Sequence, residues 1–314
     1  MSDFPYPGLR PFKRDESDIF FGRDEFITEL IGKLANHHFI AVVGDSGCGK
    51  SSLVRVGLLA RLTLALDGRH WRAANMRPGS DPFRNLSMAF LKDTEKSEKL
   101  ALREEYLNHR KIKPEDAIPT LQSELRGDSR TSYQILEKIL PNNHNLLIIV
   151  DQFEELFRYS TETKEVKDFI QWLLTSCKGD SHIYVVITMR SEFLDDCAEY
   201  EGLIEAINQG YFQVPYLNRE QLKESIELPA RIHDGEVEPQ VVEHLLAEVE
   251  KMGKACRSDQ LVLLQYMLVR MWLKVNDSDQ KVLNLQHYKE VGRRSSEGFG
   301  YQRSTSLPRF FRQQ

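Results

Sequence analysis

Four short runs, HFIAVVG (38–44), HWRAANM (70–76), NLLIIV (145–150) and IYVVITMR (183–190), constrain this chain more than any other feature in it. Each reads as a strand rich in β-branched, aromatic or other apolar residues, and helical patterns lie between them. DEFITELIGKLANH (24–37) carries Phe26, Ile27, Leu30, Ile31 and Leu34 at helical spacing ahead of the first run. SSLVRVGLLARLTLAL (51–66) follows the first run, RNLSMAFLKD (84–93) the second and EVKDFIQWLLTSC (165–177) the third. Strands alternating with helices in this way belong to a parallel sheet covered on both faces.

The strand signals stop after GYFQVPYLNREQ (210–221), with a domain change near residues 214–218. From Gln221 to about Val275 the pattern is helical, ending in DQLVLLQYMLVRMWLKV (259–275), apolar nearly all round and therefore expected to be buried. Residues 1–18 are rich in proline and charge and read as an extended leader. Residues 94–131 read as mostly charged, weakly patterned and peripheral helix. No internal repeat is visible. The expected organisation is a leader at 1–18, an α/β domain at 19–215, a helical subdomain at 216–290 and a basic, poorly ordered tail at 291–314.

With 314 residues, 41% hydrophobic and 28% charged, the chain can bury a core and is not of disordered composition. A net charge of −5 provides no global attraction to nucleic acid or to an anionic membrane, which leaves only a local basic patch open. Cys48, Cys177, Cys197 and Cys256 form no CxxC pair, which argues against a disulfide framework or a zinc site and for a reducing cytosol. The first residues have no signal-peptide core, and no later run is long enough to span a bilayer, so a cytoplasmic protein with no membrane partner is expected.

Between the first strand and its helix lies GDSGCGKSS, in which Gly44, Gly49, Lys50 and Ser51 match G-x-x-x-x-G-K-[ST]. An ordinary tight turn would also use glycine, but a strand before and a helix after are the context that gives this spacing its chemistry. The residues Gly44, Asp45, Ser46, Gly47, Cys48 and Gly49 would turn backbone N–H groups inward around phosphate oxygens. The helix beginning near Lys50 would direct the positive end of its dipole at them. Lys50 would reach the β- and γ-phosphates, Ser51 would ligate Mg²⁺ and Ser52 would add a phosphate contact.

Asp151 stands at the C-terminal tip of the third strand, where open parallel sheets bind ligands, and is placed to hold Mg²⁺ through water. Glu154 and Glu155 follow within a turn, and either would orient or deprotonate an attacking water, with a slight preference for Glu155. The plainer alternative is a strand running into a helix whose first turn favours acids. Arg190, just past the fourth strand, would approach the γ-phosphate or else pair on the surface with Glu192 or Asp195. Thr188 and Ser191 are weaker candidates.

These elements together resemble the STAND class of P-loop NTPases, and specifically the subgroup called novel STAND NTPase 1. The resemblance rests on YPGLRPF (6–12), FFGR (20–23), the glycine loop, RPGSDPF (77–83), DQFEELF (151–157) and MRSEF (189–193), and covers roughly residues 5–290. It implies that Phe21, Gly22 and Arg23 lie over the adenine and ribose, that Arg190 senses the γ-phosphate, and that Pro229 of the helical subdomain packs near the nucleotide. A helix break at Pro229 is the alternative. The resemblance also implies a cycle between a closed ADP form and an ATP form that associates with itself or a protein partner. Relatives carry an effector domain before this module and a repeat array after it. Here Met1 opens almost directly on the leader, and HYKEVG (287–292) runs into the arginine-rich tail, as a truncated reading frame would.

The expectation is an α/β P-loop NTPase, a three-layer sandwich with a mostly parallel sheet followed by an all-α subdomain. It would bind ATP or ADP with Mg²⁺ and act as a slowly hydrolysing switch in bacterial signalling or defence. Two alternatives stay open. One is a nucleotide-dependent DNA or RNA motor, supported only by Arg293, Arg294, Arg303, Arg309 and Arg312 and opposed by the acidic balance. The other is a nucleotide-binding scaffold that does not hydrolyse.

Overall fold

The computed structural model describes residues 4–65, 68–91, 102–128, 131–159, 163–251, 260–276, 278 and 280–298. The chain divides into two compact units, one built on residues Arg23–Tyr216 with Phe12–Ser17, the other on Leu217–Gln314 with the segments Met1–Pro11 and Asp18–Gly22.

The larger unit holds strands β1 (Phe39–Gly44), β2 (His70–Met76), β3 (His144–Val150), β4 (Ile183–Arg190) and β5 (Tyr211–Gln213). They form one sheet in the order β2-β3-β4-β1-β5, and every pairing is parallel. β1 and β3 are buried along nearly their whole length because both faces are covered, which explains why their sequences show no polar alternation. On one face Ala41, Val43, Ile148, Val150, Val185 and Ile187 belong to a core shared with Phe83, Phe90, Phe169 and Trp172 of flanking helices. The opposite pleat brings Ile40, Val42, Leu147, Ile149 and Val186 to the other face, and these are also fully buried. The helix Asp24–Leu34 and the helical run that follows β1 pack against β1 and against each other. The mostly parallel three-layer sandwich is therefore as expected.

Residues 94–131 are not peripheral where they are described. The helices Arg103–Arg110 and Pro114–Leu125 contribute Tyr106, Ala117, Leu121 and Leu125 to the main core. Their charges hide this by pairing with one another and with the sheet: Arg110 meets Glu124 at 2.6 Å, Glu105 meets Arg72 of β2 at 2.9 Å, and the Tyr106 hydroxyl donates to Glu124 at 3.0 Å.

The smaller unit contains the helices Arg219–Ile232, Pro239–Lys251, Gln260–Val275 and Leu285–Gly298, around a core that includes Tyr6, Ile226, Leu246, Leu268 and Trp272. Asn218 and Gln221 form a reciprocal capping box at the start of the first of these. The unit is not all-helical. β6 (Gly235–Val237) and β7 (Lys281–Leu283) form a parallel pair, and a Cβ on Gly235 would lie 2.6 Å from the Trp272 ring, so only glycine fits there.

The helix Gln260–Val275 is not buried all round, because Leu263 and Leu273 face outward while Leu264, Leu268, Met271 and Trp272 face the core. The leader is not simply extended either. A 3₁₀ segment covers Arg14–Ile19, and Tyr6 is 1% exposed and donates to the Ile226 carbonyl at 2.5 Å. Helical backbone continues from Leu285 to Gly298, past the expected start of the tail at 291, and residues 299–314 lie outside the described residues.

Candidate functional site

The loop after β1 bends tightly, with Gly47 and Gly49 at φ +75° and +93°, backbone that L side chains rarely adopt. Gly44 is needed for another reason, since a Cβ there would come within 2.9 Å of the Cys48 thiol. From Lys50 the backbone is continuously helical to Ala65, but Leu53–Leu58 is a π-helical stretch. The Lys50 ammonium curls back to donate to the carbonyls of Gly44 (2.8 Å) and Asp45 (2.7 Å), inside the curve of the loop. Asp45 also accepts from the Tyr216 hydroxyl. Ser46 and Gly47 are exposed, Cys48 is buried and Ser52 is half-buried.

Arg23 holds this loop from behind. The residue is 3% exposed, and its guanidinium donates to the carbonyls of Cys48 (2.8 Å) and Pro215 (2.7 Å). Burial lowers its pKa to about 10, still far above neutrality, so the group stays charged. Phe21 and Gly22 belong to the smaller unit. There Gly22 has φ +78°, and a Cβ on it would lie 2.4 Å from the Gln221 carbonyl, so the glycine of FFGR is required by the backbone. Pro229 is buried within the helix Arg219–Ile232, which continues past it rather than breaking.

Asp151 is fully buried just beyond β3 and is the point on which the rest converges. Its Oδ1 accepts from the Ser51 hydroxyl and the Thr188 hydroxyl, each at 2.6 Å. Its Oδ2 meets the Arg55 guanidinium at 2.7 Å and Arg77 Nε at 3.7 Å. Parallel register makes this possible, because Met76, Val150 and Ile187 are neighbours across β2, β3 and β4 and the next residues share one end of the sheet. Thr188 does more than bind Asp151: its hydroxyl accepts from the Gln152 N–H (3.0 Å) and its carbonyl from the Phe153 N–H (2.8 Å). These bonds hold Gln152 at φ +56°, a left-handed conformation for a non-glycine residue.

The two glutamates have different surroundings. Glu154 is 5% exposed, its Oε1 lies 3.4 Å from Arg190 Nε, and its Oε2 is buried with no hydrogen-bond partner among the described residues. Glu155 Oε2 accepts from the Gly79 N–H at 3.1 Å in the turn after β2. With its amide oriented to satisfy both neighbours, Gln152 donates to Glu155 Oε1 (2.9 Å) and accepts from Arg77 Nη2 (3.2 Å). Arg190, in register with Gly44 at the head of the loop, also approaches Glu192 at 3.7 Å. Ser191 Oγ is buried with no hydrogen-bond partner among the described residues. Cys48, Cys177 and Cys197 are free thiols, and Cys256 lies outside the described residues.

A model of the family described as novel STAND NTPase 1 matches residues 5–296. The chain belongs to that family. The novel STAND NTPase fold also extends to solved structures at low identity. The Aeropyrum pernix ORC1 protein, solved in complex with DNA, is 14% identical, with 90% of this chain and 69% of that one covered at a TM-score of 0.53. The Cdc6p structure from Pyrobaculum aerophilum is 11% identical over 90% of this chain and 68% of its own, at 0.52. Domain III of the replication initiation protein DnaA from Thermotoga maritima is 12% identical over 91% of this chain and 98% of its own, at 0.50. At these identities the likeness is one of fold, that of a mostly parallel P-loop sheet covered by helices.

Arg55 and Arg77 are members of this site that sequence reasoning missed. The available signals were the i, i+4 spacing of Ser51 and Arg55 and the position of Arg77 directly after β2. Thr188→Val keeps the shape of the side chain but leaves the Gln152 N–H without its acceptor, a loss of about 1–3 kcal/mol in unfolding free energy. Chemical denaturation of the two proteins measures it.

Proposed function

We propose that this novel STAND NTPase is a Mg²⁺-dependent ATP/ADP switch with slow ATP hydrolysis, acting in the cytoplasm in bacterial signalling or defence. The observation that carries the reading is the 2.6 Å bond between the Ser51 hydroxyl and the buried Asp151 carboxylate beside the lysine loop. These hard oxygen donors suit Mg²⁺, which takes one or two protein oxygens and completes its shell from phosphates and water. The bound ion would neutralise charge between the β- and γ-phosphates.

In this mechanism the loop amides of Gly47, Cys48 and Gly49 and the Lys50 ammonium hold the phosphates. Arg23 keeps the loop in shape through the Cys48 carbonyl. Glu154 orients the attacking water through its Oε2, which has no partner among the described residues, while Arg190, tied to its Oε1, faces the charge that develops on the γ-phosphoryl group. Glu155, preferred from sequence, has both oxygens engaged and instead positions the loop after β2. A glutamate tethered to an arginine and a Lys50 turned onto its own loop suit slow turnover. The ATP state is read as the form that associates with a protein partner or another copy, and Phe21, Gly22 and Pro229 are read as residues that report the nucleotide.

Glu154→Gln is expected to leave ATP binding intact and to slow phosphate release by about 10²–10⁴, the usual contribution of a positioned general base. Glu155→Gln is expected to have a smaller effect. Single-turnover hydrolysis with labelled ATP distinguishes them, and a large loss only in Glu155→Gln would reverse the assignment. The DNA in the Aeropyrum pernix complex belongs to that protein. For this chain the acidic net charge of −5 supports a nucleotide switch over a nucleic-acid motor, and adding DNA to the same assay should leave the rate unchanged.

A further inference from the structure

Of the two Asp151 oxygens, Oδ1 is taken by the Ser51 and Thr188 hydroxyls, and Oδ2 is held by Arg55 at 2.7 Å with Arg77 behind it at 3.7 Å. The Arg55 and Asp151 side chains are 24% and 0% exposed, so the pair is partly shielded from water and salt. A second observation sets Arg55 apart. It projects from the π-helical stretch Leu53–Leu58, and its Nε is buried with no hydrogen-bond partner among the described residues. π-Helical turns are rare and concentrate at functional positions.

We propose that Arg55 is a cationic latch on Asp151, competing with the divalent cation for Oδ2 and so setting how strongly the site takes metal. The inference rests on the reading of Asp151 as the metal-holding carboxylate. Two like charges do not share one carboxylate oxygen without repulsion, so a cation approaching Oδ2 must displace the guanidinium or bind against it. Phosphate oxygens of a bound nucleotide supply the negative charge that tips this competition. Arg55 thus makes metal uptake conditional on nucleotide, and nucleotide binding less dependent on metal than it is with a bare carboxylate. Arg55 acts here through Asp151 and is a positioning residue.

Mn²⁺, followed by electron paramagnetic resonance of the free ion, is the probe. It is titrated into the full chain saturated with ADP, for the wild type, Arg55→Met, Arg55→Lys and Asp151→Asn. Arg55→Met is expected to bind Mn²⁺ about tenfold more tightly than wild type, equivalent to about 1.4 kcal/mol. Arg55→Lys, which keeps the charge but loses the planar fork, is expected to fall between them. The ratio of ADP affinities with and without metal should widen in the same order. Asp151→Asn should lose the Mn²⁺ site. If it does while Arg55→Met binds Mn²⁺ no more tightly than wild type, the latch is overturned and the metal site stands. If Asp151→Asn binds Mn²⁺ as the wild type does, the metal-site reading fails and the latch fails with it. Should Arg55→Met not fold, Arg55→Lys decides: tighter Mn²⁺ binding supports the latch, and unchanged or weaker binding overturns it.

Discussion

Lys50→Ala is expected to weaken ATP binding about a hundredfold, as measured by titration calorimetry against wild type. In this reading the ammonium exchanges the Gly44 and Asp45 carbonyls, 2.8 and 2.7 Å away, for phosphate oxygens. Hydrogen bonds to charged groups contribute about 1.5–3 kcal/mol each, and about 2.7 kcal/mol corresponds to two decades in affinity. The loop itself should survive, because its shape rests on the positive φ of Gly47 and Gly49 and on Arg23 beneath Cys48 rather than on Lys50. Far-ultraviolet circular dichroism should therefore be unchanged. Equal ATP affinities in the two proteins would remove the phosphate-binding role from the loop.

Asp151→Asn is expected to cost about as much, but only in the presence of Mg²⁺. The substitution keeps a carbonyl oxygen to accept from Ser51 and Thr188 and removes the charge that a hard cation needs. Metal-assisted charge stabilisation contributes several kcal/mol to phosphoryl transfer, so hydrolysis should fall by about 10² or more. With EDTA present, the ADP affinities of wild type and variant should converge. A loss of affinity that is the same with and without metal would mean that Asp151 shapes the loop and does not hold the ion. The amide also leaves the Arg55 guanidinium without this counter-charge, and its 24% exposure lets water take over much of that task.

What the sequence showed well was what local pattern determines. β1, β3 and β4 were legible because both faces of each are buried, which forces an unbroken β-branched run. The glycine loop was legible because its conformation restricts residue type. The helices Arg103–Arg110 and Pro114–Leu125 were misjudged because a few buried residues anchor them while their surplus charge cancels in pairs that no linear pattern reveals. β6 and β7 were missed because each is three residues long and its partner lies far away in sequence, so neither has a period to detect. The surroundings of Asp151 depended on register: Arg77, Thr188 and Arg55 come from three separate elements and meet only when the sheet is assembled. The difference between Glu154 and Glu155 was likewise invisible in the string, since it depends on which carboxylate meets Arg190 and which meets Gly79.

The central claim is that this loop and carboxylate hold ATP and convert it slowly to ADP. The most direct test is to incubate the full chain with Mg²⁺ and ATP labelled on the α-phosphate, capture the protein on a filter, and separate the retained label over time. The account predicts roughly one retained nucleotide per chain, passing slowly from ATP to ADP while still bound, with the conversion lost in Asp151→Asn. No retained nucleotide, or retained ATP that stays unchanged in wild type and variant alike, would contradict it.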